Sequence, residues 1–244
     1  MNNFLENYKK LEDFKDKLER DYNEKLSQLV GSFIDELNIS NVHKKLILEF
    51  LDEMKEHSIV TYNHSIDVAF RTYELGQKYT NSQNDKYSLT DKELSELCVA
   101  AILHDAGKLD IPKEILEADR KLTDEEFKIM KTHSQKSANH IQRFPKTVID
   151  LAVHHHEKLD GSGYPDKLKG DQISLSNRIL TIADITSALF QKRSYKDKFS
   201  IDDVINILKN DAQKNQIDSK VTQDMIDIIS SQNIGNNNNK NIED

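Results

Sequence analysis

The chain has 244 residues, a hydrophobic fraction of 36%, a mean hydropathy of -0.70 and a formal net charge of -8. The acidic balance argues against general affinity for nucleic acid or for an anionic membrane, because both partners need a basic surface. No apolar run approaches the ~20 residues needed to cross a bilayer and the start has no signal-peptide core, so the sequence predicts a soluble cytoplasmic protein.

Residues 1–40 are predicted to form an amphipathic helix. Their apolar positions recur at steps of three and four residues from Phe4 to Leu37, which is the spacing of one helical stripe. This stripe could pack on the rest of the chain, pair with a second subunit in a homodimer, or continue a signalling helix.

Residues 41–231 are predicted to be a succession of helices that forms the catalytic domain. Two threonines mark helix starts, since Thr90 is followed by Glu93 and Thr123 by Glu126 at the spacing of a capping box. No stretch has a convincing strand pattern. The predicted fold class is therefore all-α.

Two stretches are predicted to lack regular structure. Asp160–Pro165 contains two glycines and a proline, which indicates a loop. Residues 232–244 are asparagine-rich and are predicted to be a disordered tail. The single cysteine, Cys98, lies in an apolar run, which predicts a place in the core and excludes an internal disulfide.

Histidines and aspartates stand at the ends of several apolar helical segments. His104 and Asp105 end the apolar run that starts at Cys98, and burying such a pair costs free energy unless it binds something. Imidazoles and carboxylates without thiolates favour Mn, Fe, Zn or Ni over a structural thiolate zinc site. Groups spread over about 120 residues indicate a site assembled in the core of a helical bundle. The groups in this setting are His64, His104, Asp105, Lys108, His133, His154, His155, His156 and Asp184.

Two segments carry a specific resemblance. The segment from His104 to Pro112 resembles the signature of the HD superfamily of metal-dependent phosphohydrolases, and His155 to Pro165 resembles the second signature of its HD-GYP subfamily. The resemblance covers about residues 45–230 and implies a domain of about seven core helices. It also implies hydrolysis of the bacterial messenger cyclic di-GMP to linear pGpG, or on to GMP.

The resemblance further implies two divalent metal ions bridged by Asp105. Mn or Fe are the expected metals, with Ni, Zn or Mg as alternatives. Two metals about 3.5–4 Å apart can neutralise phosphate charge and hold a bridging water as hydroxide near neutral pH. The implied ligands are His64, His104 and Asp184 for one metal, and His133, His155 and His156 for the other.

Substrate contacts follow from the same resemblance. Lys108 lies one helical turn beyond His104 and is expected to meet a phosphate oxygen. Arg193 and Lys196 stand where the family contacts substrate phosphates. The loop is expected to support the site because its glycines allow positive φ, although its tyrosine could instead serve packing or partner contact. The supporting loop residues are Asp160, Gly161, Gly163, Tyr164 and Pro165.

The chain departs from the family pattern at four positions. Val60 stands where some members carry a glutamate that helps to hold a third metal, so a two-metal site is predicted. Ser137 replaces a glycine, Ser187 an aspartate and Ser194 a proline. None of these changes removes a metal ligand, but they could alter substrate fit or rate.

Two alternatives stay open. An HD-type phosphohydrolase could act on another cyclic dinucleotide or on a nucleotide. A catalytically weak receptor could instead bind cyclic di-GMP and signal through the N-terminal helix. The intact ligand set favours an enzyme over a receptor. For His43, His57 and His140 the sequence predicts ordinary packing or surface positions.

Overall fold

The computed structural model describes residues 3–14, 19–80, 82–191 and 199–240. Within these ranges the protein forms α-helices and short 3-10 turns and no β-strand, which confirms the predicted all-α class. The 3-10 turns are Asp85–Tyr87, Ala106–Asp110 and Gly170–Gln172. The α-helices are α1 (Phe4–Phe14), α2 (Glu19–Glu36), α3 (Asn41–His57), α4 (Ile59–Gln77), α5 (Asp91–Leu103), α6 (Lys113–Leu116), α7 (Asp124–Lys131), α8 (His133–His140), α9 (Lys146–Val153), α10 (Leu175–Phe190), α11 (Ile201–Gln213) and α12 (Ser219–Lys240).

Capping boxes start α5 and α7, as the sequence predicts. The Thr90 hydroxyl accepts a hydrogen bond from the Glu93 backbone N–H at 3.2 Å, and the Glu93 carboxylate accepts one from the Thr90 N–H at 2.7 Å. Thr123 and Glu126 repeat the arrangement at 3.2 and 2.8 Å. Both boxes satisfy N–H groups that a helix start leaves without partners, and they fix the starts of α5 and α7.

Helix α5 lies at the centre of the bundle. It packs against α4, α9 and α10, and every residue from Leu97 to Leu103 is buried, including Cys98. A helix covered on all sides needs no polar face, which explains its continuous apolar run. The polar pair that follows this run therefore lies inside the molecule.

The N-terminal segment forms two helices, so the prediction of one continuous helix is wrong. The Phe4 and Phe33 ring centroids lie 5.1 Å apart, whereas a straight helix would separate these residues by roughly 40 Å. Phe4 and Tyr8 also pack on Phe70 of α4, at centroid distances of 5.9 and 5.5 Å. Folding back lets both halves of the stripe bury their apolar faces against the same core. Packing on the rest of the chain is thus observed, while dimerisation stays a prediction.

Helix α12 differs from the prediction at its C-terminal end. It continues into the asparagine-rich segment as far as Lys240, where the sequence predicts disorder, and residues 241–244 lie outside the described ranges. Val221, Met225 and Ile229 recur every fourth residue and are buried. A helix anchored in this way can propagate at the cost of ordering one residue for each added hydrogen bond.

The described helices include none that combines the length and the apolar character needed to cross a membrane.

Candidate metal centre

The structure brings all seven predicted metal ligands together in the middle of the bundle. One comes from the first half of α4, two follow α5, one begins α8, two follow α9 and one lies within α10. Six are buried and His156 is partly buried. These ligands are His64, His104, Asp105, His133, His155, His156 and Asp184.

One group of ligands, called the carboxylate cluster here, consists of His64, His104, Asp105 and Asp184. Ligand atoms of the first three all lie within 4.8 Å of one another. His64 Nε2 is 2.9 Å from Asp184 Oδ1, and His104 Nε2 is 3.2 Å from Asp105 Oδ2. Two imidazoles and two carboxylates suit a first-row divalent metal.

The other group, called the imidazole cluster here, consists of His133, His155 and His156. One nitrogen of each ring lies within 4.8 Å of the others, and the Nε2 atoms of His133 and His155 are 3.4 Å apart. Three imidazoles directed at one point can hold a second metal ion.

Asp105 lies between the two clusters. Its Oδ1 is 3.3 Å from His133 Nε2, and its Oδ2 is 3.2 Å from His104 Nε2. Asp105 Oδ1 and His104 Nε2 are buried and make no hydrogen bond to any described residue. A buried polar atom without a partner costs free energy, which a coordinated cation would offset. The donor set therefore fits a metal pair bridged by this carboxylate.

Backbone carbonyls orient three of the histidine rings. In each ring Nδ1 faces the carbonyl oxygen three residues earlier, at 2.6 to 2.8 Å. A carbonyl oxygen can only accept, so Nδ1 carries the proton and the lone pair remains on Nε2, the atom directed at the centre. The pairs are His104 with Ala101, His133 with Met130, and His155 with Ala152.

Side chains orient the fourth ring, that of His64. His64 Nδ1 lies 3.1 Å from the Ser187 hydroxyl, and this hydroxyl donates to the Asp67 carboxylate. Asp67 also accepts from Arg71 Nε at 2.7 Å, and both charged residues are buried. Ser187 is the residue that replaces an aspartate of the family pattern. The sequence motifs do not point to Asp67. The signal for it is the spacing of Asp67 and Arg71, four residues apart in an apolar helical segment.

The two clusters hold their protons differently. Burial lowers the pKa of His133 to about 4 and that of His156 to about 3, and it holds the pKa of His155 well below its ordinary value. Burial also opposes charge on His104, but the Asp105 and Asp184 carboxylates outweigh it and raise the His104 pKa. Burial would raise the pKa of Asp105, yet His104 and Lys108 hold it well below its ordinary value. Neutral imidazoles and ionised carboxylates are the forms that bind metals.

The turn after Asp105 packs tightly against α8. A side chain at Gly107 would collide with the backbone oxygen of His133, so this close approach requires glycine. Ser137 contributes to the same contact, because its hydroxyl accepts from Gly107 N–H at 2.9 Å and lies 2.7 Å from the His104 carbonyl oxygen. The serine thus links the elements that carry His104, Asp105 and His133.

The loop after the histidine pair is held by Glu157, which the sequence analysis did not single out. Its buried carboxylate accepts backbone N–H groups of Asp166 and Leu168 at 2.6 and 3.0 Å. Asp160 accepts from the Ser162 N–H at 2.9 Å.

The loop glycines and Tyr164 place this segment against the centre. Gly161 has φ of 80°, and a side chain at Gly163 would collide with backbone atoms of Glu157 and Lys158. The Tyr164 ring lies 4.7 Å from the His156 ring, centroid to centroid, and Pro165 follows it through a cis peptide bond.

Two of the three predicted phosphate contacts, Arg193 and Lys196, lie outside the described residues, as does Ser194. The third, Lys108, donates from Nζ to Asp105 Oδ2 at 2.6 Å. Its ammonium is therefore at the centre, but it pairs with a predicted ligand.

His154, His140 and Val60 belong to neither cluster. His154 Nε2 contacts Asp166 at 2.9 Å, and His140 Nε2 contacts Asp110 at 3.1 Å. Val60, one turn before His64, is 62% exposed and offers no ligand atom. The number of metals, two rather than three, stays a prediction that is based on this position.

Comparison with known proteins identifies a family and several named relatives. The sequence model described as "HD domain" matches residues 61–221. A 3'3'-cGAMP-specific phosphodiesterase 1 of Vibrio cholerae is 40% identical over 163 residues, covering 66% of this chain and 36% of that protein. A cyclic di-GMP phosphodiesterase of Pseudomonas aeruginosa is 32% identical over 169 residues, covering 68% and 39%. The chain thus spans little more than a third of the length of these curated relatives.

A solved structure shares the fold. Bd1817, an HDG"Y"P protein from Bdellovibrio bacteriovorus, superposes with a TM-score of 0.57 at 17% sequence identity. The match covers 93% of this chain and 69% of that one. At this identity the likeness concerns the arrangement of helices.

Proposed function

Because the chain belongs to the HD domain family, in its HD-GYP branch, we propose that it is a metal-dependent phosphodiesterase that hydrolyses cyclic di-GMP. The reaction adds water across one P–O3' bond, leaving a 5'-phosphate and a free 3' hydroxyl in linear pGpG. A second hydrolysis would give GMP. The observation that supports this best is the position of Asp105, whose two oxygens face different ligand clusters.

The proposed metals are Mn or Fe. His64, His104 and Asp184 would hold one ion, His133, His155 and His156 the other, and Asp105 would bridge them. A bound metal pair would supply positive charge for the phosphate oxygens and would lower the pKa of a bound water to near neutral. The carbonyl-anchored rings keep Nε2 free to bind without rearrangement, which preorganises the site.

The protein's own groups orient the substrate and exclude water. Lys108, whose Nζ lies beside Asp105, supplies positive charge at the phosphate that is cleaved. The buried apolar residues of α5, from Leu97 to Leu103, keep bulk water from the ligands. The low local dielectric constant strengthens each electrostatic contact. Arg193 and Lys196 are proposed as further phosphate contacts on the basis of the resemblance alone.

A product assay with purified protein tests this function. We expect protein loaded with Mn or Fe to convert cyclic di-GMP to pGpG, read by chromatography, and elemental analysis to give two metals per chain. Asp110→Asn is a matched control, because this nearby carboxylate pairs with His140 and lies outside both clusters. Metal-replete protein that binds cyclic di-GMP without hydrolysing it would favour the receptor alternative.

A second candidate substrate is 3'3'-cGAMP. The Vibrio cholerae relative named for this substrate is 40% identical to the chain. A panel of cyclic di-GMP, 3'3'-cGAMP and cyclic di-AMP, compared by kcat/KM, decides between the candidates. A preference for 3'3'-cGAMP of tenfold or more would replace cyclic di-GMP in the proposal.

A further inference from the structure

Lys131, the last residue of α7, lies beside the metal centre and has no assigned role. Its Nζ is 5.0 Å from the centroid of the Phe127 ring and 5.8 Å from that of the Tyr164 ring. The Tyr164 ring in turn packs on the His156 ring at 4.7 Å. The ammonium is therefore separated from a proposed metal ligand by a single aromatic ring.

The charge of Lys131 is available to a ligand. Among the described residues, no carboxylate forms an ion pair with it, and its contacts are with the faces of two aromatic rings. Lys108 differs, because its ammonium already donates to Asp105 at 2.6 Å. Ring contacts hold a cation in place without neutralising it, so little side-chain entropy remains to be lost when an anion binds.

The chemistry of a cyclic dinucleotide calls for such a cation. The substrate carries two phosphodiester charges, and only one phosphate can lie on the metal pair during a cleavage step. The second needs positive charge of its own, because the protein has a net charge of -8 and repels anions in general. Arg193 and Lys196 are proposed for phosphate contacts by resemblance alone, so a further cation near the centre bears on this phosphate. A lysine ammonium is a compact point charge that suits a phosphate oxygen.

We propose that Lys131, held between Phe127 and Tyr164, is a substrate-binding residue that contacts the phosphate that is not being cleaved. This inference rests on the proposed function and extends its substrate contacts to α7. Phe127 is half exposed and Tyr164 is partly buried. Phe127 therefore forms the side of this subsite that faces solvent, and Tyr164 forms the side next to the metal centre.

The test compares Lys131→Gln with Lys128→Gln, an exposed lysine one turn earlier on the same helix. With cyclic di-GMP we expect Lys131→Gln to raise KM about tenfold with little change in kcat, and Lys128→Gln to behave as wild type. Lys131→Arg should restore most of the affinity. The slope of log KM against log salt concentration should be smaller for the Gln variant than for the wild type, because salt screens the attraction between Lys131 and the phosphate.

A substrate with one phosphate, bis(p-nitrophenyl) phosphate, separates substrate binding from damage to the centre. Both Gln variants should cleave it at the wild-type rate, because it has no second phosphate. The inference is overturned if Lys131→Gln matches Lys128→Gln on cyclic di-GMP, if the two substrates lose rate equally, or if the salt slope is unchanged. Wild-type protein that cleaves only the one-phosphate substrate would instead refute the proposed function, and this inference with it.

Discussion

The carboxylate cluster and the imidazole cluster are built and supported in different ways. The first contains two carboxylates, and its His64 ring is oriented by side chains from Ser187 and Asp67. The second contains three imidazoles, two of them oriented by backbone carbonyls of their own helical turns. The carboxylate cluster therefore depends in part on contacts between distant parts of the chain, although His104 is oriented by the carbonyl of Ala101. In the imidazole cluster the two anchored rings depend on local geometry alone.

This difference predicts unequal binding of the two metals. Carboxylates attract a divalent cation over a longer range than neutral imidazoles, so the carboxylate cluster should fill at the lower metal concentration. The imidazole cluster, whose histidine pKa values are lowered by burial, needs no proton removed near neutral pH. Asp105 belongs to both, so changes there should affect the two sites together.

The largest effect is expected at Asp105. Asp105→Ala should lower kcat/KM for cyclic di-GMP by roughly a thousandfold or more, because several kcal/mol of metal-derived stabilisation are lost. It should also lower the metal content of both clusters, measured by elemental analysis. Retention of two metals and of more than a tenth of the activity would contradict the assignment of Asp105 as the bridge.

The support of the carboxylate cluster is tested by Asp67→Asn. Removing one partner of the buried Asp67–Arg71 pair leaves an uncompensated guanidinium and should reduce the free energy of unfolding by about 3 kcal/mol at neutral pH. Denaturant unfolding of wild type and variant measures the difference.

The same pair gives the pH dependence its sign. Burial alone would raise the pKa of Asp67, but Arg71 and Ser187 hold it below the ordinary 3.8. Its stabilisation is therefore fully present above pH 3.8 and is lost as the pH falls through the lower folded pKa. The difference in the free energy of unfolding between wild type and Asp67→Asn should therefore become smaller in acid. A difference that stays constant down to pH 2 would contradict this account.

Paired histidine substitutions test whether the clusters bind metal separately. His104→Gln and His155→Gln should each reduce the metal content from two ions to one and lower kcat/KM by roughly a hundredfold. His154→Gln, adjacent in sequence to His155 but paired with Asp166, is the control and should keep both metals. If either ligand variant loses both ions, the clusters are one cooperative unit.

The smallest effect is expected at Ser187. Ser187→Ala removes the acceptor for His64 Nδ1 and should weaken metal binding in the carboxylate cluster by about tenfold, leaving the imidazole cluster unchanged. Thr186→Val is the matched control, since that buried hydroxyl donates to the Ile182 carbonyl of its own helix. Competition with a chelator of known affinity measures the metal dissociation constant of each cluster.

Local sequence signals located most of the centre. The ligands stand in short motifs, and the threonine capping boxes mark α5, which delivers His104, and α7, which ends just before His133. Contacts between distant residues were not visible in the same way. Ser187 and Asp67 are 120 residues apart in the chain. The sequence shows that Ser187 replaces an aspartate of the family pattern, but it does not show which residues the serine contacts.

Two other features escaped the sequence for different reasons. The fold-back between α1 and α2 was hidden because the apolar spacing continues across it, and periodicity reports which face is buried but not where the chain turns. Lys131 reads in sequence as one more lysine on an acidic helix. Its significance comes from Phe127 and from Tyr164, which lies in a different part of the chain.

The packing of α1 and α2 bears on how the protein is divided for laboratory work. The family match begins at residue 61, but Phe4, Tyr8 and Phe33 cover Phe70 on the helix that also carries His64. A recombinant fragment trimmed to the match would leave this aromatic surface bare and prone to aggregation. We therefore expect the autonomous folding unit to be larger than the region by which the family is identified.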